Sequence, residues 1–171
     1  YGLWTEENQG DEQLFPFFNY DEIFSTVVNR FIVQAVAGYP LTVYGKGGQT
    51  RGYLNIMDTL NCIRLSIENP PKAHELRVFN QFTETFSVNE LAERVHDCGK
   101  RNGLEVKIES KPNPRKELEE HYYNPAHTGL LELGLEPHFM TEDVLDQLLA
   151  TVLRYRDNIN RDAIFRGIKW N

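Results

Sequence analysis

The sequence has 171 residues, of which 18 are Lys or Arg and 25 are Asp or Glu, giving a formal charge of -7; 40% of residues are hydrophobic and 12% aromatic. A chain of this size buries roughly 70% of its unfolded surface, so it folds without disulfides or a structural metal, and its aromatic content excludes disorder. The acidic balance argues against a nucleic-acid protein, which needs a cationic face, and no apolar run approaches the ~18 residues of a membrane span.

The opening Tyr1-Gly2-Leu3-Trp4 has neither a Met nor the charged and apolar regions of a secretory signal, and it reads as an internal cut. Residues 5–20 show no period and read as an irregular loop. From Asp21, a candidate N-cap, Ile23, Phe24, Val27, Val28, Phe31, Ile32, Ala35 and Val36 recur at helical spacing until Gly38. Leu41 to Tyr44 and Arg51 to Ile56 read as two short strands joined by the turn Gly45-Lys46-Gly47-Gly48, a hairpin. Asp58 is a candidate cap for a helix through Leu60, Ile63 and Ile67 that Pro70-Pro71 ends. Leu76 to Phe79 reads as a buried strand.

Ser87 and Glu90 form an S-x-x-E capping box for a helix carrying Leu91, Val95 and Cys98 and closing near Gly103. Leu104 to Ile108 is strand-like. An acidic helical stretch to Tyr123 follows Pro112-Asn113-Pro114, and Asn124-Pro125 starts a short helix that Gly134 ends. Thr141, with Glu142 and Asp143 in the first turn, opens a helix along Leu145, Leu148, Leu149, Val152 and Tyr155. Helices alternating with short strands give an α/β class. The strands are few for so many apolar helical faces, so some of those faces pack on something outside this chain.

Cys62 and Cys98 both sit on apolar stripes and read as buried free thiols, which makes a reducing cytoplasm the expected compartment. The five histidines show no pair at i, i+4, so no metal is expected. The small basic group Lys111, Arg115 and Lys116 does not reverse the acidic balance. The glycine turn that leads to Arg51 matches neither a Walker motif nor a dinucleotide fingerprint; on spacing alone it is a hairpin turn first and a phosphate cradle second. Arg115 follows a rigid proline turn and precedes Glu117, Glu119, Glu120, His121 and Tyr122, and the plain reading is a solvated acidic helix.

The run from Pro40 to Arg51 followed by Asp58, together with Arg51-Gly52-Tyr53-Leu54, Phe79 to Glu84, Pro112 to Arg115 and Glu119 to Asn124, resembles the nucleotide-sugar-binding C-terminal half of extended short-chain dehydrogenases, the NAD-dependent epimerase/dehydratase family. Gly52 stands where the wider family usually has Asp; Asn55 and Met57 also depart from its pattern. The resemblance is to a branch that joins sulfite to UDP-glucose. It implies a bound NAD, UDP-glucose and sulfite as substrates, and a homodimer, cytoplasmic or stromal in a plant or alga.

No Tyr here has Lys four residues later, and no G-x-x-G-x-x-G is present. The resemblance therefore places the catalytic Tyr and Lys and the Rossmann core for NAD in an N-terminal half beyond this chain. It implies no catalytic residue here, residues 1–20 as a loop following that core, and residues 21–171 as a UDP-sugar-binding domain. By the same resemblance Thr26, Val27, Val28 and Asn29 face the substrate and Thr42, Val43 and Tyr44 lie along the uracil. Gln49, Thr50 and Arg51 would reach the ribose and diphosphate. Arg115 would clamp the diphosphate from the other side, and Glu120, His121 and Tyr122 would close over the ribose.

Overall fold

The structure is a computed structural model that describes residues 1–8, 10–21, 24–112 and 125–165. Helix α1 spans Val27–Ala37 and buries Val28, Phe31, Ile32, Val33 and Ala35. Its N-cap is Thr26, whose side chain accepts from the Asn29 N–H, and Gly38 ends it at φ 78°, a left-handed turn that glycine enters without strain. Asp21 is therefore not the cap expected from sequence. Its carboxylate accepts instead from the Phe24 N–H (2.9 Å) in a turn ahead of the helix, and Phe24 points into water.

Helix α1 packs against α3 (Val88–Arg101) and α5 (Glu142–Arg154). Phe31, Ile32, Leu91, Leu145, Leu148 and Leu149 meet there in one core. Both partner helices begin as expected. Ser87 and Glu90 form the reciprocal capping box of α3, and the Thr141 side chain caps α5. Cys62 and Cys98 are buried free thiols, and burial pushes the Cys98 thiol up to about 12.

Among the described residues four short strands form two separate ladders. Strand β1 (Leu41–Tyr44) pairs in parallel with β4 (Ile108–Lys111), in register from Leu41 with Ile108 to Tyr44 with Lys111. Strand β2 (Thr50–Tyr53) pairs antiparallel with β3 (Glu84–Ser87). The expected hairpin is not formed, because the glycine turn passes the chain from one ladder to the other. Strand β3 had no counterpart in the periodicity, and β4 starts later than the Leu104 to Ile108 run.

Helix α2 spans Ile56–Glu68 and is capped by Asn55, whose side chain accepts from the Met57 N–H. Asp58 lies inside the first turn and is fully buried. The buried face of α2 is Asp58, Cys62 and Leu65; the stripe Leu60, Ile63 and Ile67 is turned to solvent. Leu76 to Phe79 is not a strand, and Leu76 and Val78 are almost fully exposed at 88% and 78%. Phe79 does turn inward, onto the small second core of Cys62, Leu65, Leu130 and Leu135.

Among the described residues there are also two four-residue helices, α4 (Gly129–Glu132) and α6 (Arg161–Ile164). Gly134, at φ 98°, follows α4 as expected, but the helix starts at Gly129 and not beside Pro125. The acidic stretch to Tyr123 and the tail from residue 166 lie outside the described residues.

Two features tie distant segments together. Asp58 accepts from the His138 backbone N–H (2.8 Å) and sits 2.6 Å from His138 Nδ1, joining α2 to the approach of α5. Glu84 of β3 accepts from the Met140 N–H (2.8 Å) and the Tyr1 hydroxyl (2.9 Å). Burial, and then that carboxylate, pushes the Tyr1 phenol pKa upward. At Gly52, a Cβ would come within 2.6 Å of the Phe82 ring, which itself lies 4.3 Å from the His127 ring. A side chain larger than hydrogen at position 52 collides with that packing.

Gly52→Ala is expected to destabilise the fold by ~1–3 kcal/mol through overpacking, read as a lowered thermal midpoint. His138→Ala leaves the Asp58 carboxylate buried on one described backbone donor, at an expected cost of ~3 kcal/mol. Asp58→Asn in that background restores part of the loss; urea unfolding of the three proteins checks this.

Candidate functional site

Strand β1 has two edges. Leu41 N–H donates to Lys107 O (2.7 Å) and Gly45 N–H to Lys111 O (2.8 Å), so alternate backbone groups face β4 and those of Thr42 and Tyr44 face the opposite edge. That second edge is covered by α1. The Thr42 N–H donates to Gln34 Oε1 (3.1 Å), Gln34 Nε2 donates to Thr42 Oγ1 (3.2 Å), and Arg30 Nη2 donates to the Thr42 carbonyl (3.2 Å). Arg30 and Gln34 lie four apart on one face of an otherwise largely apolar helix.

The end of β1 opens onto a polar surface. The Arg30 guanidinium lies 5.2 Å over the Tyr44 ring, and the Tyr44 carbonyl accepts from Gln49 Nε2 (3.5 Å). The glycine turn is pinned by the start of α3. There the Asn89 backbone N–H donates to the Gly47 carbonyl (3.0 Å) and its side chain to the Lys46 carbonyl (3.0 Å). Beyond the turn Arg51 stands exposed on β2, donating to the neighbouring Thr50 carbonyl (2.7 Å) and without a carboxylate partner among the described residues. Burial pushes the Tyr53 phenol up to about 12, opposed first by the charge of Arg51 and then by that of Arg30.

The residues expected from sequence divide into three groups. Tyr44, Gln49, Thr50 and Arg51 come together at the end of β1, the turn and the start of β2. Asn29 stands one position before Arg30, donating to the Asn19 carbonyl (3.3 Å), and its Oδ1 is buried without a partner among the described residues. A second group is engaged within the protein. Val28 and Val43 are core side chains, Val27 packs against the core, and Thr26 is occupied as the N-cap. Thr42 is buried with its N–H, carbonyl and hydroxyl all bonded within the protein, so its backbone is not available to read a base edge. Arg115, Glu120, His121 and Tyr122 lie outside the described residues.

Sequence reasoning missed Arg30 and Gln34. The legible signal was the polar i, i+4 pair on an apolar helix. Two clefts, of about 200 and 180 Å³, lie elsewhere: one between Glu6, Glu7 and Arg64, the other among Phe15, Phe18 and Val152. Neither borders Arg51. No group of His, Cys, Asp and Glu among the described residues is arranged to hold a metal.

No protein-family model matches the chain. Its fold is that of part of the NAD-dependent nucleotide-sugar epimerases and dehydratases. It aligns at a TM-score of 0.65 and 18% identity with a UDP-N-acetylglucosamine 4-epimerase from Methanobrevibacter ruminantium, over 82% of this chain and 43% of that one. It aligns at 0.61 and 21% identity with the Thermotoga maritima UDP-glucose 4-epimerase solved with UDP-glucose, over 79% and 41%. A third match, at 0.60 and 18% identity, is a dTDP-glucose 4,6-dehydratase from Streptomyces venezuelae solved with NAD, over 79% and 40%.

In sequence the chain is a relative of the UDP-sulfoquinovose synthases. It is 52% identical to the chloroplastic enzyme of spinach and 45% identical to that of Sulfolobus acidocaldarius, over 99% of its own length in both cases. It spans 35% and 44% of those proteins. No described helix is long and apolar enough to cross a membrane.

Gln34→Leu leaves the buried Thr42 N–H without an acceptor and is expected to cost ~1–3 kcal/mol, measured by urea unfolding; Gln34→Glu, which keeps the acceptor, is expected to cost less.

Proposed function

We propose that this chain is the UDP-sugar-binding portion of an NAD-dependent UDP-sulfoquinovose synthase, which converts UDP-glucose and sulfite to UDP-sulfoquinovose and water for sulfolipid synthesis. The observation that carries the reading is the 52% identity to the spinach synthase across 99% of the chain. The exposed surface agrees with a larger enzyme. Leu60, Ile63 and Ile67 of α2, with Leu76 and Val78, present apolar area that the remainder of such an enzyme would cover.

In this reading the chain anchors the nucleotide. Arg51 offers a planar fork to the diphosphate, and Gln49 and Thr50 reach the ribose. The uracil lies past the Tyr44 end of β1, since the Thr42 backbone is already engaged. Arg115 completes the diphosphate clamp, and Glu120, His121 and Tyr122 close over the ribose. Asn29 contributes from the first turn of α1. Charge-assisted bonds of ~1.5–3 kcal/mol each fix the remote nucleotide, and that binding energy orients the glucose for reaction. NAD supplies the hydride chemistry. Its binding site and the proton-transferring Tyr and Lys belong to the remainder of the enzyme, as no Tyr in this chain is followed four residues later by Lys.

The structural likeness to a UDP-glucose 4-epimerase supports a second reading, a nucleotide-sugar epimerase. Incubating the complete enzyme with UDP-glucose, with and without sulfite, separates the two. UDP-sulfoquinovose that forms only with sulfite supports the synthase; UDP-galactose formed without sulfite supports the epimerase. In the same enzyme Arg51→Ala is expected to weaken UDP-glucose binding at least tenfold by calorimetry, and an unchanged affinity removes Arg51 from the site.

A further inference from the structure

We propose that Asn89 is a positioning residue of the nucleotide site: by tying the glycine turn to the start of α3, it sets where Gln49 stands to meet the ribose of the bound UDP-sugar. The inference rests on the nucleotide-sugar reading above and adds to it a residue that touches no ligand.

Asn89 is the second residue of α3, so its backbone N–H has no acceptor within the helix. That N–H donates to the Gly47 carbonyl (3.0 Å), and the side-chain amide donates to the Lys46 carbonyl (3.0 Å). One residue thus holds two successive peptide units. The fit is close. Gly47 is buried at φ 70°, and a Cβ there would lie 2.0 Å from Asn89 Oδ1 and 2.7 Å from Val43 Cγ1. At Gly48 a Cβ would meet nothing within 4 Å. Of these two adjacent glycines, Gly47 is the one required, and it is required to seat the Asn89 amide.

The anchor itself is rigid. The Ser87-Glu90 box closes the same turn of α3, and Leu91, Ala92 and Val95 bury the next one. Ser87 also ends β3, where it lies opposite Thr50. The chain is therefore fixed on both sides of Gln49, at Gly47 and at Thr50, by residues 87–89. Gln49 belongs to neither ladder, and its amide reaches the Tyr44 carbonyl only at 3.5 Å, near the outer limit for a hydrogen bond. Its place depends on the backbone that carries it. Asn89 is exposed, so water can replace a lost side-chain donor and the fold survives while the turn loses its fixed position.

Asn89→Asp separates the two roles. It keeps the size and the backbone N–H, suits the N-terminus of a helix better than Asn does, and removes the donor to the Lys46 carbonyl. The test uses the complete enzyme and compares wild type, Asn89→Asp, Gln49→Ala, the double variant and Arg51→Ala. Asn89→Asp is expected to keep the thermal midpoint and to weaken UDP binding by calorimetry at least threefold, while kcat with saturating UDP-glucose and sulfite changes less than about twofold. In the Gln49→Ala background the same substitution is expected to cost less than about twofold, because its effect passes through Gln49. Unchanged UDP affinity in Asn89→Asp overturns the inference, and Asn89 then only ends a helix. Equal weakening with and without Gln49→Ala also overturns it. A wild-type enzyme that binds no UDP overturns the nucleotide-sugar reading itself. UDP binding that Arg51→Ala weakens and Asn89→Asp leaves intact overturns this inference alone.

Discussion

The arrangement of this chain depends on how the free edge of β1 is closed. A four-residue strand paired on one side leaves backbone donors and acceptors exposed on the other, and burying them unpaired would cost more than so short a ladder contributes. Gln34 answers with a complementary amide, and Arg30 takes the remaining carbonyl of Thr42. Because α1 occupies that edge, β2 cannot add there. The chain must cross through the glycine turn and find β3, and the polar surface at the end of β1 follows from that detour.

A second set of contacts makes the site one object with its surroundings. Asp58 and Glu84 are carboxylates on different elements, and both fasten the backbone around His138 and Met140. That segment leads directly into α5, which forms one wall of the core under α1. Through it the position of β2, and with it Arg51, is coupled to the helix that carries Arg30. Glu12, bonded to Arg154 and Tyr155, adds a surface tie from the irregular first segment to the end of α5.

Helix ends were legible in the sequence because caps are local. Gly38, the Ser87-Glu90 box and Thr141 each act within one turn of their own position. Strand partners were not legible, since four-residue strands carry too little pattern to choose between neighbours. Asp58 misled for a related reason: it resembles a cap, yet a residue 80 positions away engages it and a better-placed Asn55 does the capping. The candidate site was legible mainly through family resemblance, which singled out Arg51 and the turn. Arg30 escaped because a charged residue within an apolar helix reads as a solvated interruption. The Leu76 to Phe79 strand was read from real apolar character, but nothing among the described residues pairs with it.

That last segment has a practical side. Leu60, Ile63 and Ile67 repeat along a helix, and Leu76 and Val78 stand exposed in the segment beyond it, so the chain offers greasy area together with peptide groups that no described strand satisfies. Produced alone, the polypeptide would carry its own adhesive, and purification would call for a fusion partner or mild detergent to keep neighbouring copies apart.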